Sequence, residues 1–170
     1  MSKCDTAYAI SYKMSEHIME WSQVINNPFL KNLPFKIELN KWGKILMTPA
    51  SNSHGHIQFE VGAKIRDCKQ GRGKIITECS IQTSQGVKVA DVAWISDDFF
   101  ARFSYDTPYK RAPEICVEIV SPSNSRGEME EKIELYLAKG AKEVWIVYEK
   151  GDTEFYTYEG RIENSAEIDQ

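Results

Sequence analysis

Three polar residues stand out by where they fall in the chain. Asp91 interrupts Val87-Lys-Val-Ala-Asp-Val-Ala-Trp-Ile95, and Glu118 interrupts Ile115-Cys-Val-Glu-Ile-Val120. Lys132 follows in the charged segment Glu128-Met-Glu-Glu-Lys-Ile-Glu-Leu-Tyr136. A carboxylate among apolar, β-branched neighbours is costly to bury unless it is paired or holds a cation. If both strands present their carboxylates on one side, the two repel, and a hard divalent cation such as Mg²⁺ or Mn²⁺ relieves the repulsion. Such an ion keeps water, one molecule of which can be a nucleophile. A nearby lysine supplies a point charge for a phosphate or steers the attacking water. The spacing therefore outlines a small hydrolytic site with Asp91 and Glu118 as metal ligands, Lys132 as its cation, and Tyr136 one helical turn further on.

The flanking sequence predicts the elements that must hold these groups. At a period of two, Val89, Asp91, Ala93 and Ile95 share one strand face, while Glu118 lies with Cys116 and Val120. Residues 15–26 read as an amphipathic helix with Ser15 as N-cap and Ile18, Trp21 and Ile25 on one side. Residues 35–39 and 44–48 form a hairpin. A second helix starts at Asn52, carries Ile57, Val61, Ile65 and Cys68 on its apolar face, and ends at Gly71-Arg-Gly73. Residues 74–83 and 87–95 form another hairpin, and 96–113 read as a long loop. Strand 112–120, helix 126–139 capped by Ser123, Asn124 or Ser125, and strand 143–148 have the length of a parallel crossover. A last strand, 154–158, closes a hairpin, and the polar tail from Ile162 frays. The sum is a mixed sheet with helices packed against it, α/β or α+β. The domains are an N-terminal helical extension over 1–34, a core over 35–160 and a tail over 161–170.

A chain of 170 residues, 42% hydrophobic and 27% charged, suits one folded domain. Its apolar runs are strand-sized, which excludes a membrane span, and its N-terminus lacks the apolar core of a signal peptide, so cytoplasm is the expected location. Cys4, Cys68, Cys79 and Cys116 form no Cys-x-x-Cys pair and read as scattered small hydrophobes. A net charge of −4 gives no global attraction for nucleic acid, although Lys64, Arg66, Lys69, Arg72 and Lys74 form a local basic stretch. His54 and His56 precede the second helix without an evident third ligand, and His56 is the candidate at the site's edge. Tyr105 and Tyr109 are candidates for stacking on bases or for a subunit interface.

Glu118-Ile-Val-Ser-Pro-Ser123, the helix with Lys132 and Tyr136, and Gly140-Ala-Lys-Glu-Val-Trp-Ile-Val147 resemble a bacterial family described as "putative restriction endonuclease", formerly a domain of unknown function. Val89-Ala-Asp91-Val-Ala-Trp-Ile is similar to its preceding strand, with Ala90 where the family usually has proline. Met47-Thr-Pro-Ala with His56 is similar to its upstream segment, and Glu38 to an acidic residue of its first hairpin. The family is placed in the PD-(D/E)XK nuclease superfamily. The resemblance implies a restriction-endonuclease-like mixed sheet flanked by helices and a DNA substrate. It implies Asp91 and Glu118 as ligands of Mg²⁺, with Mn²⁺ as substitute. Lys132 becomes the catalytic lysine, relocated from the position of Val120, with Glu38, Tyr136 and His56 in support. The alternative is a catalytically silent binding or structural protein on the same fold, with a homodimer as its assembly.

Overall fold

The computed structural model describes residues 18–121 and 124–168. Their order is α1 (Trp21–Ile25), β1 (Phe35–Leu39), β2 (Ile45–Pro49), α2 (Asn52–Cys68), β3 (Lys74–Thr83), β4 (Gly86–Ile95), α3 (Asp97–Phe103), β5 (Ile115–Val120), α4 (Arg126–Ala138), β6 (Glu143–Tyr148), β7 (Thr153–Thr157) and β8 (Gly160–Ile162). Strands β3 to β8 lie side by side in chain order in one mixed sheet, with β5 and β6 parallel and the other neighbours antiparallel. The crossover between the parallel pair is α4. Strands β1 and β2 pair only with each other, as a separate antiparallel hairpin.

The sheet is the middle of three layers. Val92, Trp94, Val117, Ile119, Trp145 and Val147 pack with Ile65 of α2 on one face. Ala93, Ile95, Cys116, Val144 and Ile146 pack with Met129, Ile133 and Tyr136 of α4 and Phe99 of α3 on the other. Each large apolar side chain among them contributes about 1.5–3 kcal/mol when fully buried. A third cluster joins Trp21 and Val24 of α1 to Leu39, Val87 and Val89, seating α1 and the hairpin on the first half of β4. The seat is close: a Cβ on Gly86 (φ +96°) would lie 2.2 Å from the Leu39 carbonyl oxygen, so only glycine fits there.

Side-chain alternation slips in the middle of the β3–β4 ribbon. Cys79 and Ile81 face α4, and so does Ile76; likewise Ala90, Ala93 and Ile95 share that face. Parity therefore changes between 76 and 79 and between 90 and 93. The cause is Glu78, which takes a left-handed conformation (φ +52°) between the Thr77↔Val92 and Cys79↔Ala90 pairs, opposite Asp91. The expected shared face of Val89, Asp91, Ala93 and Ile95 is thus corrected: Val89 points into the hairpin cluster instead.

Other corrections are local. Of the helix expected over 15–26, residues 18–26 are described, and the helix among them is shorter, Trp21–Ile25 with Glu20 as N-cap; Ser15 lies outside the described residues. The segment 96–113 contains α3, whose N-cap Ser96 accepts the Phe99 N–H at 3.0 Å above Asp97 and Asp98 of the first turn. Ser125 is the cap of α4, accepting from the Glu128 N–H at 3.2 Å, while Ser123 lies outside the described residues. Tyr109 is buried against Phe99 and donates to the Ser104 carbonyl, which removes it as a base-stacking platform. The C-terminal tail does not fray as expected: Ser165 and Ile168 are buried. Cys68, Cys79 and Cys116 are free thiols, and burial pushes the Cys79 thiol up to about 12. Among the described residues no helix is long and apolar enough to cross a membrane.

Candidate active site

The β4–β5 ladder runs only from Trp94↔Ile115 to Val92↔Val117 and stops one residue short of Asp91 and Glu118. Beyond it, side chains replace the backbone as hydrogen-bond partners. Asp91 Oδ2 accepts the Ile119 N–H at 2.7 Å, and Glu38 Oε1 of β1 accepts the Val89 N–H at 2.8 Å. Where the two strands part, a cavity of about 550 Å³ opens, lined by residues of the hairpin, α2, β3, β4, β5 and α4.

Three carboxylates and two lysines meet at its floor. Glu118 Oε2 accepts from Lys132 Nζ at 3.0 Å and from Lys36 Nζ at 3.3 Å, and Glu118 Oε1 accepts from the Tyr136 hydroxyl at 2.7 Å. Lys132 also reaches Glu38 Oε1 at 3.0 Å. Lys36 reaches Asp91 Oδ1 at 2.6 Å, and His54 Nε2 lies 3.1 Å from the same oxygen. Burial is nearly complete, with Asp91 1%, Glu118 2% and Lys132 4% exposed. Lys132 and Tyr136, one turn apart on α4, deliver both groups to Glu118 from one helix face.

Burial and charge pairing compete at each group. Burial pushes the Asp91 carboxyl up, but Lys36, His54 and the Ile119 N–H outweigh it and hold Asp91 well below the usual carboxylate range. Glu38 follows the same pattern: burial pushes it up, and Lys132 and Lys36 outweigh that and lower it. Glu118 is raised: burial, with the nearby charges of Asp91 and Glu38, outweighs Lys132 and Lys36. Both lysines are raised, because their carboxylate partners overcome the burial that would discharge them. His54 is raised by its hydrogen bond to Asp91.

The structure brings Asp91, Glu118, Lys132, Tyr136 and Glu38 together. It does not bring His56, which is exposed on α2 and absent from the cavity wall. His54 stands there instead, set by the first turn of α2, where Ser51 Oγ accepts the His54 backbone N–H at 3.1 Å. Lys36 and Glu78 also belong to the site without having been expected. Lys36 shares the inward side of β1 with Glu38 at a spacing of two, the signal that could have found it. Glu78 is steadied by Gln58, whose Nε2 donates to Glu78 Oε1 at 2.6 Å and to the Asp91 carbonyl at 3.1 Å.

A cation fits this donor set. The cavity wall carries six carboxylates (Glu38, Glu78, Asp91, Glu118, Glu128 and Glu149) against two lysines and one histidine. Ligand atoms of His54, Glu78 and Asp91 lie within 4.8 Å of one another, close enough to share one ion. The carboxylate oxygens suit Mg²⁺ or Mn²⁺, and the imidazole beside them suits a first-row transition metal better than Mg²⁺. The N-terminal end of α4 faces the cavity through Asn124, just before the cap, and Glu128 of the first turn, whose side chains hydrogen-bond at 3.3 Å.

The architecture is that of a nuclease-like α/β fold. A crystal structure of a "putative nuclease belonging to DUF820" from Anabaena variabilis is similar over 78% of this chain and 83% of that one, with a TM-score of 0.57 and 18% identity. A model of the Uma2 family, described as "putative restriction endonuclease", matches residues 28–163. The chain belongs to that family. No curated protein matches it.

Proposed function

We propose that this protein is a Mg²⁺-dependent endonuclease of the PD-(D/E)XK kind that hydrolyses DNA phosphodiester bonds. The observation that supports it most is the meeting of Asp91, Glu118 and Lys132 at the floor of an acid-lined cavity. Asp91 and Glu118 would hold the cation, and His54 and Glu78, whose ligand atoms gather with those of Asp91, would be further ligands. The ion neutralises phosphate charge and activates a water when bound. Lys132, kept charged by Glu38 and Glu118, gives the site a fixed positive end for charge that develops on the phosphate. Tyr136 fixes the Glu118 carboxylate by donating to one oxygen and leaves the other for cations. Glu38 orients Lys132. The DNA assignment draws on the description of the family as a restriction endonuclease.

A second reading is supported by one side chain. Lys36 already bridges Asp91 and Glu118, as an internal cation would in a silent member of the fold that binds or scaffolds. Isothermal calorimetry with Mn²⁺ and Mg²⁺, followed by nicking of supercoiled plasmid, separates the two. Metal binding with cleavage supports the endonuclease. Absence of both returns the chain to the silent reading.

A further inference from the structure

Lys36 stands where a cation shared by Asp91 and Glu118 would stand. Its Nζ is 2.6 Å from Asp91 Oδ1 and 3.3 Å from Glu118 Oε2. A Mg²⁺ at its usual oxygen distance of about 2.1 Å from both carboxylates claims the same space. The two charges also repel at that spacing, so the ammonium and the ion do not share the gap between the carboxylates.

The two lysines differ in their freedom to leave. Lys132 rides on α4, is 5% exposed in its side chain and is tied to both Glu38 and Glu118. Lys36 comes from the β1–β2 hairpin, which has no ladder to the main sheet, and its side chain is 13% exposed. It lies on the cavity wall beside Phe35 and Thr48, so rotation of its four-carbon stem carries the ammonium into the cavity without moving the backbone.

We infer that Lys36 is an exchangeable internal counter-ion. It holds the Asp91–Glu118 pair in the metal-free protein and swings into the cavity when a divalent cation takes its place. This rests on the metal-dependent reading above and adds to it a lysine that competes with the metal.

Two measurements test it on the full chain. In calorimetric titration with Mn²⁺, Lys36→Met keeps most of the stem and removes the competitor, so affinity should rise on the order of tenfold or more over the wild type. Deleting any nearby positive charge raises cation affinity by Coulomb interaction, so the rise is necessary for the exchange and the labelling below tells it from a lysine that stays in place. In the wild type, brief acylation of amines read by peptide mass spectrometry should show Lys36 labelling several-fold faster with Mn²⁺ than without, while Lys132 stays protected. Equal Mn²⁺ affinity in wild type and variant, or Lys36 labelling that Mn²⁺ leaves unchanged, overturns the exchange while sparing the metal site. Absence of Mn²⁺ binding in both proteins overturns the metal site and the exchange together. If Lys36→Met does not fold, the labelling of the wild type decides alone.

Discussion

Replacing Lys132 with methionine removes the ammonium that Glu38 and Glu118 share at 3.0 Å each. Both carboxylates are nearly buried, and each then loses a donor. Deleting one partner of a buried ion pair costs about 3–5 kcal/mol. Glu118 retains Tyr136 and Lys36, and Glu38 retains the Val89 N–H, so the low end applies, about 3 kcal/mol near pH 8. With a urea slope on the order of 1–3 kcal/mol per molar, the unfolding midpoint should drop by about 1–3 M. The loss has a pH signature. Glu118 already sits above its ordinary range, and without Lys132 it rises further. A carboxyl raised in the folded state favours folding below its unfolded value and loses that contribution as pH rises through its folded value. The penalty of Lys132→Met should therefore be largest at pH 8 and shrink toward pH 5, as Glu118 takes up a proton. Glu118→Gln made in both backgrounds completes a double-mutant cycle, with an expected coupling of about 1–3 kcal/mol. A variant whose midpoint at pH 8 matches the wild type, with additive effects in the cycle, would falsify the placement of this ammonium between the two carboxylates.

Asp91→Asn should weaken Mn²⁺ binding by about 100-fold or more by calorimetry, since it removes a ligand rather than a supporting group. The same change should destabilise the metal-free fold, because Lys36 loses its shortest partner. Since Asp91 is depressed in the folded state, that stability difference should hold from about pH 5 to 8 and fade as pH drops below about 4, which acid titration of unfolding midpoints reads. Glu78→Gly should stabilise the fold by about 0.5–1 kcal/mol in urea melts by releasing the left-handed strain, while lowering Mn²⁺ affinity; a loss of stability would mean that the strand conformation is not strained. Glu143→Gln should cost about 2–4 kcal/mol and speed amide exchange at Ala166–Ile168, because the Glu143 carboxylate accepts from Trp145 Nε1, Ser165 Oγ and the Ala166 and Glu167 N–H groups. On a plasmid substrate, Lys132→Met should slow cleavage by about 10²-fold or more; wild-type turnover would leave Lys132 with a structural task alone.

The strands, the crossover and Glu118 were legible because a glutamate inside Ile115-Cys-Val-Glu-Ile-Val120 has no bland place to go. Lys36 left only a faint signal, its spacing of two from Glu38. In Phe35-Lys-Ile-Glu-Leu39 the two occupy the polar half of an ordinary hairpin pattern, and only three-dimensional seating brings that half to the buried charges of the site. The two histidines could have been ranked. His54 is three residues before Ile57 and so continues the inward stripe through Val61 and Ile65, whereas His56 falls off it. Helix α3 carried its own signature in Ser96-Asp97-Asp98, a cap followed by an acidic first turn, but two prolines and many aromatics masked it. The parity slip at Glu78 left no trace in residue type, since nothing in a glutamate announces a left-handed backbone.

Glu143 separates two meanings of a domain boundary. The region shared with the family ends at residue 163, yet three of the four donors to this carboxylate come from residues 165–167, and Ile168 packs on the α2 side of the sheet. The stretch that relatives hold in common is therefore shorter than the stretch this chain uses to complete its own interior. A version trimmed at the edge of the family match would keep every residue of the cavity and lose most of what satisfies a charge at the far end of the sheet. Activity lost on such trimming would report on the scaffold, and boundaries for dissecting this protein belong beyond Ile168.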